Sequence, residues 1–105
     1  MNEDFLNCLG LCRKAGMISW GHDSCADAIK KRKVKMILVA SDASDRIKKE
    51  FIKSSQDEKT DIVFLSETME EMNNHIGVFA GIFTVNDEGF YKLLKKKKYQ
   101  GEATE

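Results

Sequence analysis

The chain is 105 residues long, 42% hydrophobic and 32% charged, and its 17 basic and 17 acidic residues cancel to a formal charge of zero. That length suits one domain, and the balance argues against both a disordered chain and a uniformly basic nucleic-acid binder. The longest apolar runs, Met36 to Ala40 and Ile76 to Phe83, fall far short of the ~20 residues a membrane span needs. The first residues are acidic where a signal peptide would be basic, and the three cysteines lack paired spacing. The expectation is a cytoplasmic protein with no membrane partner.

Residues 3–15 read as a helix, with Phe5, Leu6, Cys8, Leu9 and Cys12 at helical spacing and Gly16 as its stop. Met17 to Trp20 is a short extended piece. Gly21 opens a second helix to about Arg32, with Cys25, Ala28 and Ile29 on its apolar face. Lys35 to Ala40 is a strand apolar enough to be buried on both faces. Ser41 or Asp42 is the expected cap of a third helix over 43–54, followed by a polar loop from Ser54 to Thr60. Ile62 to Leu65 is a strand, and Ser66 is the expected cap of a short helix to His75. Gly77 to Gly81 reads as a tight apolar loop, Ile82 to Val85 as a strand, and Asn86 and Asp87 lead into a last helix through Lys95. One domain over 1–98 and a flexible tail over 99–105 are expected. Strands alternating with helices define an α/β domain with helices on both faces of a small sheet.

Catalytic signatures are missing. There is no Gly-x-Gly-x-x-Gly, no P-loop and no Gly-x-Ser-x-Gly elbow. No enzyme and no cofactor are expected. Cys8, Cys12, His22 and Cys25 are potential zinc ligands, but their spacing matches no common zinc pattern, and all three cysteines fall on apolar faces. The core reading is preferred, and no metal is expected. The zero charge hides opposed segments: residues 13–59 sum to +5, residues 1–12 to −2 and residues 60–105 to −3. A local basic surface can still attract phosphates, since screening confines each charge's reach to about 8–10 Å. Trp20 reads as core or edge packing rather than a stacking platform, and His22 as either a base-stacking or a plain surface histidine.

The order of motifs is more specific than any one of them. Leu9-Gly-Leu-Cys-Arg-Lys-Ala-Gly16, Gly21, Val34 to Ser44, and Ile76-Gly77 ahead of the last strand together resemble the kink-turn-binding ribosomal protein family. That is the L-seven-Ae and L-thirty-e type, and the likeness is greatest to its small bacterial YlxQ-type members. Gly89-Phe90 resembles that subgroup too, and the likeness spans about residues 4–95. The resemblance implies a three-layer α/β/α sandwich with a small mixed four-stranded sheet. It also implies non-catalytic, ribosome-associated binding of structured RNA bent at a bulge with tandem G·A pairs. The sequence does not give the oligomeric state, and a monomer is favoured. The start of the second helix and the loop before the last strand would meet the RNA. The residues so implicated are Gly21, Asp23, Ser24 and Asp27, with Val78, Phe79 and Ala80 as an apolar cover. Beside them, His22 and the phosphate-contacting Lys30 and Lys31 complete the expected interface. The family's usual Asn is Asp23 here, its Glu is Ser24 and its Lys is Asp27. The alternative is a protein-interaction module on the same fold that has lost kink-turn recognition.

Overall fold

The computed structural model describes residues 2–97 and Tyr99. The chain runs through α1 (Glu3–Lys14), β1 (Ile18–Trp20), α2 (His22–Lys30), β2 (Met36–Val39) and α3 (Asp45–Glu58). It continues through β3 (Asp61–Phe64), α4 (Met69–Ile76), β4 (Ile82–Val85) and α5 (Glu88–Lys96). The strands form one sheet in the order β1-β4-β2-β3, antiparallel except for the parallel β2–β3 pair. This is the expected mixed four-stranded sheet, and its order could not be read from local pattern.

The apolar run of β2 is buried on both faces. Met36 and Leu38 enter one core with Phe5, Leu9, Phe83 and Leu94, whereas Ile37 and Val39 enter a second with Cys25, Phe51 and Ile82. Period-two alternation thus splits a continuous apolar strand between two helical layers. Helices α1, α4 and α5 cover the first face and α2 and α3 the second, which makes the three layers. No helix among the described residues is long and apolar enough to cross a membrane.

Several element ends differ from the sequence reading, each for a local reason. Ser44, not Ser41 or Asp42, caps α3, its side chain accepting from the Ile47 N–H at 3.2 Å. Asp42 is diverted across the fold, where its carboxylate accepts from the Met69 N–H at 2.9 Å. The expected loop from Ser54 is instead the last turn of α3. The Lys53–Asp57 pair and the Ser54 hydroxyl, donating to the Glu50 carbonyl, support it, and it stops at Lys59 in the left-handed conformation. Likewise α2 ends at Lys30, with Arg32 at φ +59° just beyond. Helix α4 is capped by Thr68, not Ser66, in a reciprocal box with Glu71. The Ser66 N–H instead donates to the Tyr99 hydroxyl at 2.6 Å, and that hydroxyl donates to Glu67 at 2.6 Å. The Tyr99 ring lies 4.7 Å from Phe5. The rest of the expected tail, 100–105, lies outside the described residues.

Candidate functional site

The start of α2 is built on an unusual backbone. Gly21 is its N-cap, at φ +87° and ψ 158°, a region that only glycine occupies readily. The Gly21 N–H donates to the Ile82 carbonyl at 3.1 Å, which ties the helix start to the beginning of β4. No side chain caps α2. The first-turn N–H groups, which have no partner within a helix, therefore point outward from the positive end of its dipole. Such an end attracts an anion. A Cβ placed on Gly21 meets nothing within 4 Å, so its surroundings are open.

His22 is held rather than free. Its Nδ1 lies 3.0 Å from the Asp23 carboxylate and its Nε2 2.8 Å from Glu50 on α3. The ring meets Phe51 edge-on, with centroids 5.8 Å apart. With both nitrogens engaged, the imidazole clamps the start of α2 to α3. Hydrogen bonds to Asp23 and then Glu50, with the charge of Glu50 beside them, hold its pKa above the ordinary value. The protonated clamp therefore stabilises the fold fully below about pH 6.5, and that contribution is lost as pH rises through the raised native pKa. In an NMR titration His22 should titrate above about 6.5, and Glu50→Gln should bring it down toward that value. An unshifted wild-type ring would show that the clamp does not hold in solution.

The other expected contact residues separate. Asp23 and Ser24 are exposed in the first turn of α2. Asp27 pairs with Lys31 at 3.1 Å, so Lys31 is engaged within the helix. Lys30 is exposed and makes no ion pair among the described residues, but eight residues of helix put it about 12 Å along the axis from His22. Lys30 and Lys31 thus lie at the far end of α2. In the loop before β4, Val78 and Ala80 point into the first core at 7% exposure each, so they cannot serve as an outer cover. Phe79 between them is 62% exposed. Since Gly21 is bonded to Ile82, this loop and the start of α2 meet at the same end of the sheet.

Two residues outside the sequence-derived set also reach this end. Trp20, read as packing, is 40% exposed, and the Arg13 guanidinium lies 5.6 Å from its ring centroid. Arg13 also borders Gly77, at 3.7 Å from a Cβ placed there. In sequence, Arg13 stood as part of the Leu9 to Gly16 motif and as the first cation of the 13–59 segment. Its meeting with Trp20 depends on how α1 crosses the sheet.

The cysteines do not converge. Cys8 and Cys12 are buried in the first core and Cys25 in the second, on opposite sides of the sheet. Burial pushes the thiols of Cys12 and Cys25 up to about 12, so they are neutral core groups. A concavity of about 560 Å³ runs along the outer edge of β3, lined by Ile52, Ile62, Phe64, Lys95 and Tyr99. It lies away from α2 and gathers no catalytic set.

The fold and this sheet end define a three-layer α/β/α sandwich that presents an uncapped helix start beside an exposed aromatic loop. Residues 4–95 match the family model described as "Ribosomal protein L7Ae/L30e/S12e/Gadd45 family", and the chain belongs to that family. It is 34% identical over 92 residues to the RNA-binding protein YlxQ of Enterococcus faecium, with 87% of each chain covered. Solved structures share the fold, two of them as follows. A Bacillus halodurans protein of unknown function superposes with a TM-score of 0.82 at 21% identity, covering 89% of this chain and 94% of its own. The Giardia lamblia 15.5kD RNA binding protein superposes with a TM-score of 0.72 at 14% identity, covering 88% of this chain and 79% of its own.

Proposed function

We propose that residues 1–98 form one non-catalytic domain that binds structured, kinked RNA of a ribosomal or similar kind in the cytoplasm, as a monomer. The observation that carries this reading is the uncapped start of α2 at Gly21, at the same sheet end as the outward Phe79. The first-turn N–H groups bind a backbone phosphate, Asp23 and Ser24 meet base edges in the distorted groove, and Phe79 covers a splayed base. The name of the Enterococcus faecium relative as an RNA-binding protein supports the same reading.

The second reading, a protein-interaction module, is favoured by one observation. Asp23 is exposed and Glu50 also bonds His22, so the anion-attracting helix end carries two carboxylates that, among the described residues, pair only with His22.

A gel-shift titration separates the two. A kink-turn RNA should bind more tightly than the same duplex without its bulge, and more weakly at higher salt. Equal, negligible binding of both would transfer the function to a protein partner. Asp27→Lys adds a cation and releases Lys31 from its 3.1 Å pair. It should tighten binding and steepen the salt dependence by roughly one to two phosphate contacts. An unchanged slope would place the RNA away from this side of α2.

A further inference from the structure

We propose that Arg13 and Trp20 form a stacking platform for an unpaired RNA base beside the start of α2. The inference rests on the RNA-binding reading above and adds a contact made by α1 and β1. Trp20 ends the edge strand β1, and Ile18, two residues earlier on the same sheet face, is 6% exposed against 40% for the indole. The tryptophan therefore stands at the rim of the core and keeps a large aromatic surface open.

The guanidinium beside it is unusual in having no anionic partner among the described residues. Arg13 lies 5.6 Å from the ring centroid and makes no ion pair among the described residues. Its Nε is buried without a hydrogen-bond partner among them. The group is wedged between the indole and Gly77, at the root of the loop that carries Phe79. An arginine kept only to support the fold would be expected to satisfy its donors with a carboxylate or carbonyl. Here a guanidinium stands 5.6 Å from the centroid of an aromatic ring, with no carboxylate paired to it among the described residues. Lys14, next in the chain, is exposed and also without an ion pair among the described residues.

Nucleic acid answers both features at once. A base offers a flat face to the indole, and its phosphate offers the anion that Arg13 has not found among the described residues. Trp20 directly precedes Gly21, so a base on this ring is continuous with a phosphate at the helix start. Base readout is not required, since every base has such a face. The contact therefore supplies affinity rather than sequence preference.

Trp20 is the only tryptophan in the chain, so its emission reports the platform directly. The probes are the kink-turn RNA and, separately, single-stranded hexa-adenylate, with binding followed by gel shift and by Trp20 emission. Where the kink-turn RNA binds, saturation should quench Trp20. Trp20→Ala should then weaken binding roughly five- to 150-fold, the range found for one stacked base, while Trp20→Phe retains most of the affinity. Binding with unchanged emission, or at wild-type affinity in a Trp20→Ala protein whose circular dichroism shows it folded, would overturn the platform and leave the α2 reading standing. If the kink-turn RNA does not bind, that reading fails by itself and hexa-adenylate decides. Quenching by it supports the platform, and its absence overturns it. Arg13→Gln serves as a second variant, and weaker binding with Trp20 intact is the expected result.

Discussion

Replacing Phe51 with alanine should lower the stability of this domain by about 3–5 kcal/mol, the usual cost of truncating a fully buried phenylalanine. Phe51 is 0% exposed, and it closes the second core from α3 against Cys25, Ile37, Val39 and Ile82. Those neighbours belong to α2, β2 and β4, whose backbones are fixed by the sheet and by Gly21, so collapse into the vacancy is limited. The loss comes from the transfer free energy of the ring and from the cavity left behind. Against a total of about 5–15 kcal/mol for an ordinary domain, it is a large fraction. Urea unfolding should show a lower midpoint with an unchanged slope. A second consequence separates this residue from other core positions. Phe51 supports the edge of His22 at 5.8 Å, so the clamp on α2 loosens with it, and the His22 titration should move back toward the ordinary histidine value. A stability loss under about 1 kcal/mol would mean that the second core repacks freely, contrary to the close-packed interior expected of such a layer.

Gly21→Ala should act on both fold and function. At φ +87° and ψ 158° an L-residue is strained by about 1–3 kcal/mol. Open space around the added methyl means that no steric clash contributes, so the cost is one of backbone conformation alone. The chain can relieve it only by rotating residue 21, which withdraws its N–H from the Ile82 carbonyl and tilts the helix start. Thermal unfolding should fall by several degrees per kcal/mol, and binding of the kink-turn RNA should weaken beyond what the stability loss explains. Replacement by D-alanine, which accepts positive φ, should restore both. If D-alanine and L-alanine behave alike, the backbone conformation is not what glycine supplies there.

The neutral total charge has a structural counterpart. Several lysines of the +5 segment are spent on neighbours, Lys31 on Asp27 and Lys53 on Asp57, and Lys35 approaches Glu88. The cations without such pairs among the described residues include Arg13 and Lys14 in the last turn of α1, and Arg13 lies beside Trp20. Under the proposed RNA-binding reading, attraction of phosphate at this sheet end is local, and the contribution of shape and stacking is correspondingly larger.

Element types were legible because they depend on short-range patterns. The helical spacing of Phe5, Leu9 and Cys12, the apolar run of β2, and Gly21 before a helix can each be read within a few residues. The family resemblance was legible for the same reason, since it rests on motifs in order along the chain. Caps were less so. Ser41, Asp42 and Ser44 are all competent side chains, and the choice fell to Ser44 once Asp42 was drawn to Met69. The end of α3 was missed because serines and charged residues look like loop until Lys53 pairs with Asp57 and Ser54 bonds back to Glu50.

The candidate site divides in the same way. Gly21, Asp23, Ser24 and Phe79 could be nominated in sequence because the family motifs lie in order along the chain, and helix starts and loop apolarity are local properties. Other outcomes depended on contacts between distant segments. Val78 and Ala80 turned inward while Phe79 stayed out, Lys31 was taken by Asp27, and Glu50 reached across 28 residues to His22. The strand order brought Trp20 beside β4, and the crossing of α1 laid Arg13 on it. Local propensity and periodicity specify which segments are helix, strand or turn. Which side chains share one surface is settled by sheet order and packing, and those follow from pairings that no short stretch of sequence contains.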